Sequence, residues 1–191
     1  EPQMQLLTID EIISSIMEET EGLDAEITDG IILRKKEITP SEIEKLKSEL
    51  EIEYLDSVFT ENILSYNWGN FGFLSYQFGY GDEMSLNWLI NRNLEYEEYP
   101  VLRKKNLIII ANGDPYTILL ECKSGEIYAF TSDMSYEEIA PIASDFKELI
   151  RVMGTAQYAV WKHAEKEFME LMEREAFDSS LAFWKELVSV Y

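Results

Sequence analysis

The stretch "NLIIIANGDPYTILLECKSGEIYAF", residues 106–130, constrains the fold more than any other part of the chain. Its apolar runs at 107–111, 116–121 and 127–131 read as three strands. Asn112-Gly113-Asp114-Pro115 supplies a turn between the first two, where glycine tolerates unusual backbone angles and proline presets its own. Lys123-Ser124-Gly125-Glu126 closes a hairpin between the second and third. No residue in this stretch points to catalysis, so it reads as framework.

Helical patterns flank it. Residues 4–19 place Leu6, Ile9, Ile12, Ile13, Ile16 and Met17 at spacings of three and four, an apolar stripe with Thr8 and Glu11 as a capping box. A connection follows in which residues 31–33 read as a short strand. Thr39 as N-cap, Pro40 at the first helical position and Glu42 three places after the cap announce a second helix, which buries Ile43, Leu46 and Leu50. "SYEEIAPIASDFKELIRVMG", residues 135–154, reads as one helix carrying Ile139, Ile142, Phe146 and Ile150, with Gly154 as its stop. Beyond it Tyr158, Trp161, Phe168, Leu171 and Met172 fit one helical face. Leu181, Trp184, Leu187 and Val188 fit another, with a break at 176–179. That much apolar surface is expected to pack on the core rather than face water.

Charge narrows the choice of partner. Thirty-seven acidic against 16 basic residues leave a net −21, spread along the chain rather than gathered in a tail. Such a field repels nucleic acid and anionic lipid and attracts basic partners. Cys122 is the only cysteine, which rules out an internal disulfide and favours a reducing compartment. No apolar run approaches the ~18–20 residues of a membrane span, and the start shows no basic-then-apolar leader pattern. The expected location is the cytoplasm, without membrane contact.

The chemistry-bearing residues are sparse. His163 is the only histidine and no Ser sits in a Gly-x-Ser-x-Gly elbow. One Cys and one His cannot supply the usual zinc ligand sets. Gly79-Tyr80-Gly81 lacks the third glycine of a dinucleotide loop. "DAEITDG", residues 24–30, has its glycine one place late for a calcium loop and Lys35 at the twelfth position. Carboxylate pairs carry little information in a chain with 37 acids. The expectation is a non-enzymatic binding protein with no catalytic residues, metal or cofactor.

Two segments qualify as partner-binding candidates. One is "YNWGNFGFLSYQFGYGDE", residues 66–83, through Trp68, Tyr76 and Tyr80 with Asp82 and Glu83; the competing reading places its alternate aromatics in the core. The other is "NLEYEEYP", residues 93–100, where Glu95, Glu97 and Glu98 surround Tyr96 and Tyr99. It reads as either a solvated acidic loop or a docking patch for an Arg/Lys-lined groove.

"ITPSEIEKLKSEL" at 38–50 resembles the opening helix of the SUKH superfamily, which includes fungal cell-wall-synthesis regulators and bacterial toxin-immunity proteins. "LIIIANGDPYTILLECKSGEIYAF" resembles its central hairpin and "EEIAPIASDFKELI" its closing helix. The resemblance covers residues 38–153, leaving 1–37 as an N-terminal helix and connection and 154–191 as a C-terminal helical extension. It implies an α+β fold, a twisted and mainly antiparallel sheet backed by helices, with neither cofactor nor catalytic residues. It also implies an immunity protein that binds and neutralises a basic toxin, such as a nuclease, by covering its active site. The alternative is a regulatory or scaffold protein, with the C-terminal helices docking a second protein or a second copy of the chain.

Overall fold

The computed structural model describes residues 3–81 and 84–189. Among them, nine α-helices and one six-stranded antiparallel sheet form an α+β fold, the sheet curling into a half-barrel. The chain opens with α1 (Ile9–Glu19), α2 (Ala25–Thr28), α3 (Ser41–Leu50) and α4 (Ser57–Ser65). The hairpin β1 (Asn70–Phe73) and β2 (Tyr76–Tyr80) follows, then α5 (Asn87–Leu94) and α6 (Tyr99–Lys104). The central strands are β3 (Leu107–Asn112), β4 (Thr117–Glu121) and β5 (Ile127–Phe130), with β6 (Pro141–Ala143) at the edge. The chain closes with α7 (Phe146–Trp161), α8 (Glu165–Glu175) and α9 (Leu181–Ser189). Strand order in space equals strand order in sequence.

The unbroken apolar run of β3 follows from burial on both faces of the sheet. Ile108 and Ile110, with Ile118 and Leu120 of β4, join the main core against the helices. Leu107 and Ile109, with Leu119, join a second core under Leu102 of α6 and Phe130. The main core is continuous from Ile9 to Val188, so α1, the sheet and the C-terminal helices share it.

The expected capping box of α1 is present: Thr8 Oγ1 accepts from Glu11 N at 3.2 Å and the Glu11 carboxylate accepts from Thr8 N at 3.0 Å. Other readings need correction. Residues 31–33 form no strand; Gly30, at φ +80, turns the chain, and the only bridge nearby joins Lys35 to Tyr66. Pro40, not Thr39, is the N-cap of α3, and no side chain caps it. Residues 135–154 are not one helix. Pro141 opens β6, an edge strand where a missing N–H is tolerated, and α7 starts anew where the Asp145 side chain accepts from Glu148 N at 2.8 Å.

Gly154 does not end α7. The helix runs on to Trp161, and the missing side chain lets α1 approach, because a Cβ there would lie 2.4 Å from Ile12 Cδ1. The junction is tied by Arg151, whose Nε and Nη2 donate to the carbonyls of Leu7 at 3.0 Å and Leu6 at 3.2 Å. Thr155 Oγ1 accepts from Leu7 N at 3.0 Å. Helix α7 also touches α4, α8, α9, β1 and β6.

The sheet has one weak joint. Strands β2 and β3 pair only at Gln77 and Asn112, and the β3–β4 register shifts between Ile109 and Ala111. Helix α5 supplies the missing bonds. Asn93 Oδ1 accepts from Ile109 N at 2.7 Å, while its Nδ2 donates to Ile109 O and Leu89 O, both at 2.9 Å. One carboxamide thus makes the two bonds that a residue on a paired strand would exchange with Ile109. Arg92 Nη1 adds a bond to Ile110 O at 3.2 Å.

Asn93→Ala is expected to destabilise the fold by about 2–4 kcal/mol in urea unfolding, because it strands a buried N–H and C=O. Asn93→Leu should not recover the loss; recovery would show that the site needs volume rather than bonds. Gly154→Ala should also destabilise, its helix gain of about 1 kcal/mol being outweighed by about 1–3 kcal/mol of overpacking on Ile12. In a double-mutant cycle, Ile12→Ala should relieve part of that loss, and strict additivity would refute the clash.

Candidate protein-binding groove

Burial divides the aromatic segment. Trp68 is 1% exposed, packs edge-on against Phe71 and Phe146 at 5.6 and 5.3 Å, and donates its indole N–H to Asn62 O at 2.9 Å. Tyr76, also 1% exposed, packs on Phe183 at 5.5 Å. Both rings therefore belong to the core and offer a partner no surface, which corrects the expectation that they anchor an interface. Tyr80, at the end of β2, is 79% exposed. Asp82 and Glu83 lie outside the described residues.

The acidic segment is a helix–helix corner between α5 and α6, not a loop in open solvent. Tyr99 is buried and its hydroxyl donates to Leu50 O at 2.7 Å, closing the end of α3 beside the Arg103 guanidinium, which donates to Glu51 O. Tyr99 is thus a structural residue, a second correction. Glu98 has a structural duty too: its carboxylate accepts from Tyr96 at 3.0 Å and Tyr136 at 2.9 Å, and the two phenol oxygens stand 2.8 Å apart. Two protons serve three contacts, so two of the three are hydrogen bonds at any moment, and every arrangement keeps at least one tyrosine donating to Glu98. Tyr136 stacks on Phe130 at 4.6 Å, which ties the corner to the second core. Glu95 and Glu97 remain exposed.

Tyr80, Glu95 and Tyr96 line one groove of about 570 Å³, and Glu97 lies outside it. Its floor includes Ile109, Asn112 and Thr117, on the sheet face turned away from α7. Trp88, Arg92 and Glu95 of the α5 wall stand over it with Tyr96, and Tyr80 and Gly81 form the opposite rim. Tyr80 and the Glu95–Tyr96 pair, from two segments separate in sequence, are therefore brought together. Gly79 makes the rim possible, because a Cβ there would fall 2.3 Å from Gly69 O. The Arg92 guanidinium lies 5.6 Å from the Trp88 ring centre; burial pushes it down to about 10, so it stays cationic at neutral pH. Trp88 and Arg92 were missed in the sequence, although their spacing of four in "SLNWLINRNL" puts them on one helical face.

Groups suited to covalent chemistry stand elsewhere. Cys122 is buried and burial pushes its thiol up to about 12, leaving little thiolate at neutral pH. His163 is exposed between α7 and α8 at φ +57. Among the described residues no group of three or more His, Cys, Asp or Glu side chains is arranged to hold a metal, and no helix is long and apolar enough to cross a membrane. No known family model matches the chain, and no curated protein matches its sequence.

Burial, with hydrogen bonding to Glu98, raises the phenol pKa of both Tyr96 and Tyr136; burial, with the bond to Glu126, pushes Tyr128 up to about 12. The folded state holds these protons more tightly than the unfolded chain, which releases them near pH 10. Their contribution to stability is complete below about pH 10 and is lost as pH rises through the folded values. Urea midpoints should therefore fall above about pH 10, and less steeply in Tyr136→Phe. An equally steep fall in both proteins would count against the tyrosine–glutamate cluster as the source.

Proposed function

We propose that this chain is an inhibitory binding protein of the SUKH immunity type, which neutralises a basic toxin such as a nuclease by covering its active site. The observation that carries this reading is the convergence of Tyr80, Trp88, Glu95 and Tyr96 on one open groove of a chain with net charge −21. Aromatic side chains with polar edges are common interface anchors, and exposed carboxylates offer a basic enzyme the charge that it otherwise takes from phosphates. Long-range attraction speeds encounter by about 10–1,000-fold at low salt, and buried rings then slow dissociation.

Immobilised protein exposed to lysate of its source organism is expected to retain a basic polypeptide at low salt and less of it at high salt. Titrating the chain into that polypeptide should abolish its catalytic activity. Capture of only acidic proteins, or of a basic one whose activity is untouched, would sink the inhibitor reading and favour a scaffold. With the partner in hand, Glu95→Lys with Glu97→Lys should slow association by about tenfold at low salt and leave dissociation nearly unchanged. Glu98 is unsuitable for this test because its charge holds Tyr96 and Tyr136.

A further inference from the structure

A second groove, of about 480 Å³, opens between the C-terminal half of α7, the β1–β2 hairpin and residues 29–31. Its volume falls within the roughly 300–1,000 Å³ of small-molecule sites. Trp161 and the exposed ring of Tyr80 line it, together with four planar polar groups: Asp29, Asn70, Gln77 and Gln157. No Lys or Arg side chain lines it among the described residues.

Gln157 is the informative member. It is 3% exposed, and its Oε1 accepts from Leu74 N at 3.0 Å. That bond fixes which end of the amide is oxygen and leaves Nε2 with no protein partner among the described residues. The nitrogen is not enclosed: it opens on the groove, where it can donate to water or to an acceptor on a bound ligand. Asn70 and Gln77 each donate one amide hydrogen internally, and with Asp29 they keep acceptors. Asn70 Nδ2 donates to Asp29 Oδ1 at 2.9 Å, which leaves Asn70 Oδ1 and the second Asp29 oxygen. Gln77 Nε2 donates to Gly79 O, which leaves Gln77 Oε1.

The ligand that fits must accept from one point, donate to several, present an apolar face to a ring and carry no negative charge. A pyranose meets each condition: its hydroxyls both donate and accept, and its C–H face lies against an aromatic ring. A phosphate or carboxylate ligand would meet no cation here and the repulsion of a −21 chain. We propose that this groove binds a neutral carbohydrate, with its ring on Trp161, one hydroxyl accepting from Gln157 Nε2 and others donating to Asn70 and Asp29. The site is independent of the partner-binding groove, with which it shares only Tyr80 and none of the residues substituted below.

The test is a nitrogen–proton NMR titration of the full chain with neutral glucose-, galactose- and N-acetylglucosamine-based disaccharides up to about 10 mM. Choline and glucose 6-phosphate serve as charged controls. At least one neutral sugar should shift the Trp161 indole and Gln157 side-chain amide signals saturably, and glucose 6-phosphate should not. Trp161→Ala and Asn70→Ala should each weaken binding by about tenfold or more while the remaining spectrum stays native. Gln157→Glu keeps the acceptor for Leu74 and removes the donor, so it should also weaken binding. If Trp161→Ala fails to fold, the rim substitution Asn70→Ala carries the comparison alone. Silence with every neutral sugar, stronger saturable shifts with choline, or full binding by Asn70→Ala would overturn the proposal.

Discussion

The bonds between the Asn93 side chain and the backbone of Ile109 hold the architecture together at its weakest point. A curled antiparallel sheet needs its strands to stay paired, yet β2 and β3 meet at a single residue pair. A gap there would leave buried peptide groups without partners, a penalty that scarcely any native interior accepts. By filling the gap with a side chain, the fold keeps the sheet satisfied while letting it open. Helix α5 must then lie across the opening, which places Trp88, Arg92 and Glu95 over the floor formed by Ile109, Asn112 and Thr117. The groove is therefore a by-product of how the sheet is repaired.

The same economy governs the acidic corner. Four of its side chains look alike as recognition elements in sequence, but the fold gives them different duties. Tyr99 closes the end of α3, Glu98 and Tyr96 brace the second core through Tyr136, and Glu97 is left to solvent. Fixing Tyr96 and Glu98 internally removes their conformational freedom beforehand, so a partner that docks beside them loses less entropy in ordering them. The corner is stiff for reasons of stability, and the proposed docking would inherit that stiffness.

The strands of the 106–130 segment were legible because turn chemistry brackets each apolar run, and the capping box of α1 was legible because it is a local code. Helices α4, α5 and α6 escaped notice. They are six to nine residues long, too short to display more than two and a half turns of an apolar stripe, and tertiary packing rather than propensity sustains them. Residues 135–154 misled because Ile139, Ile142, Phe146 and Ile150 keep helical spacing while serving different elements: Ile139 packs on the second core, and the other three on the first. Pro141 and the pair Asp145 and Glu148 were the contrary signals. Among the candidate site residues, alternation could not distinguish Trp68 and Tyr76 from Tyr80, because the hairpin leaves the core at its last residue. Distinguishing Glu98 from Glu97 required knowledge of Tyr136, 38 residues away.

The clasp between the residue just before the N-cap of α1 and the middle of α7 joins groups 148 positions apart, Leu7 to Thr155. At translation rates of about 5–20 residues per second, α1 leaves the ribosome roughly 7–30 s before the helix it docks on. During that interval the stripe of Ile9, Ile12 and Ile16 has no partner, and the sheet lacks the helix that roofs its inner face. From β1 until α7 is complete the nascent chain is an incomplete half-barrel, a stage at which a chaperone or a premature strand pairing competes for the same apolar surface.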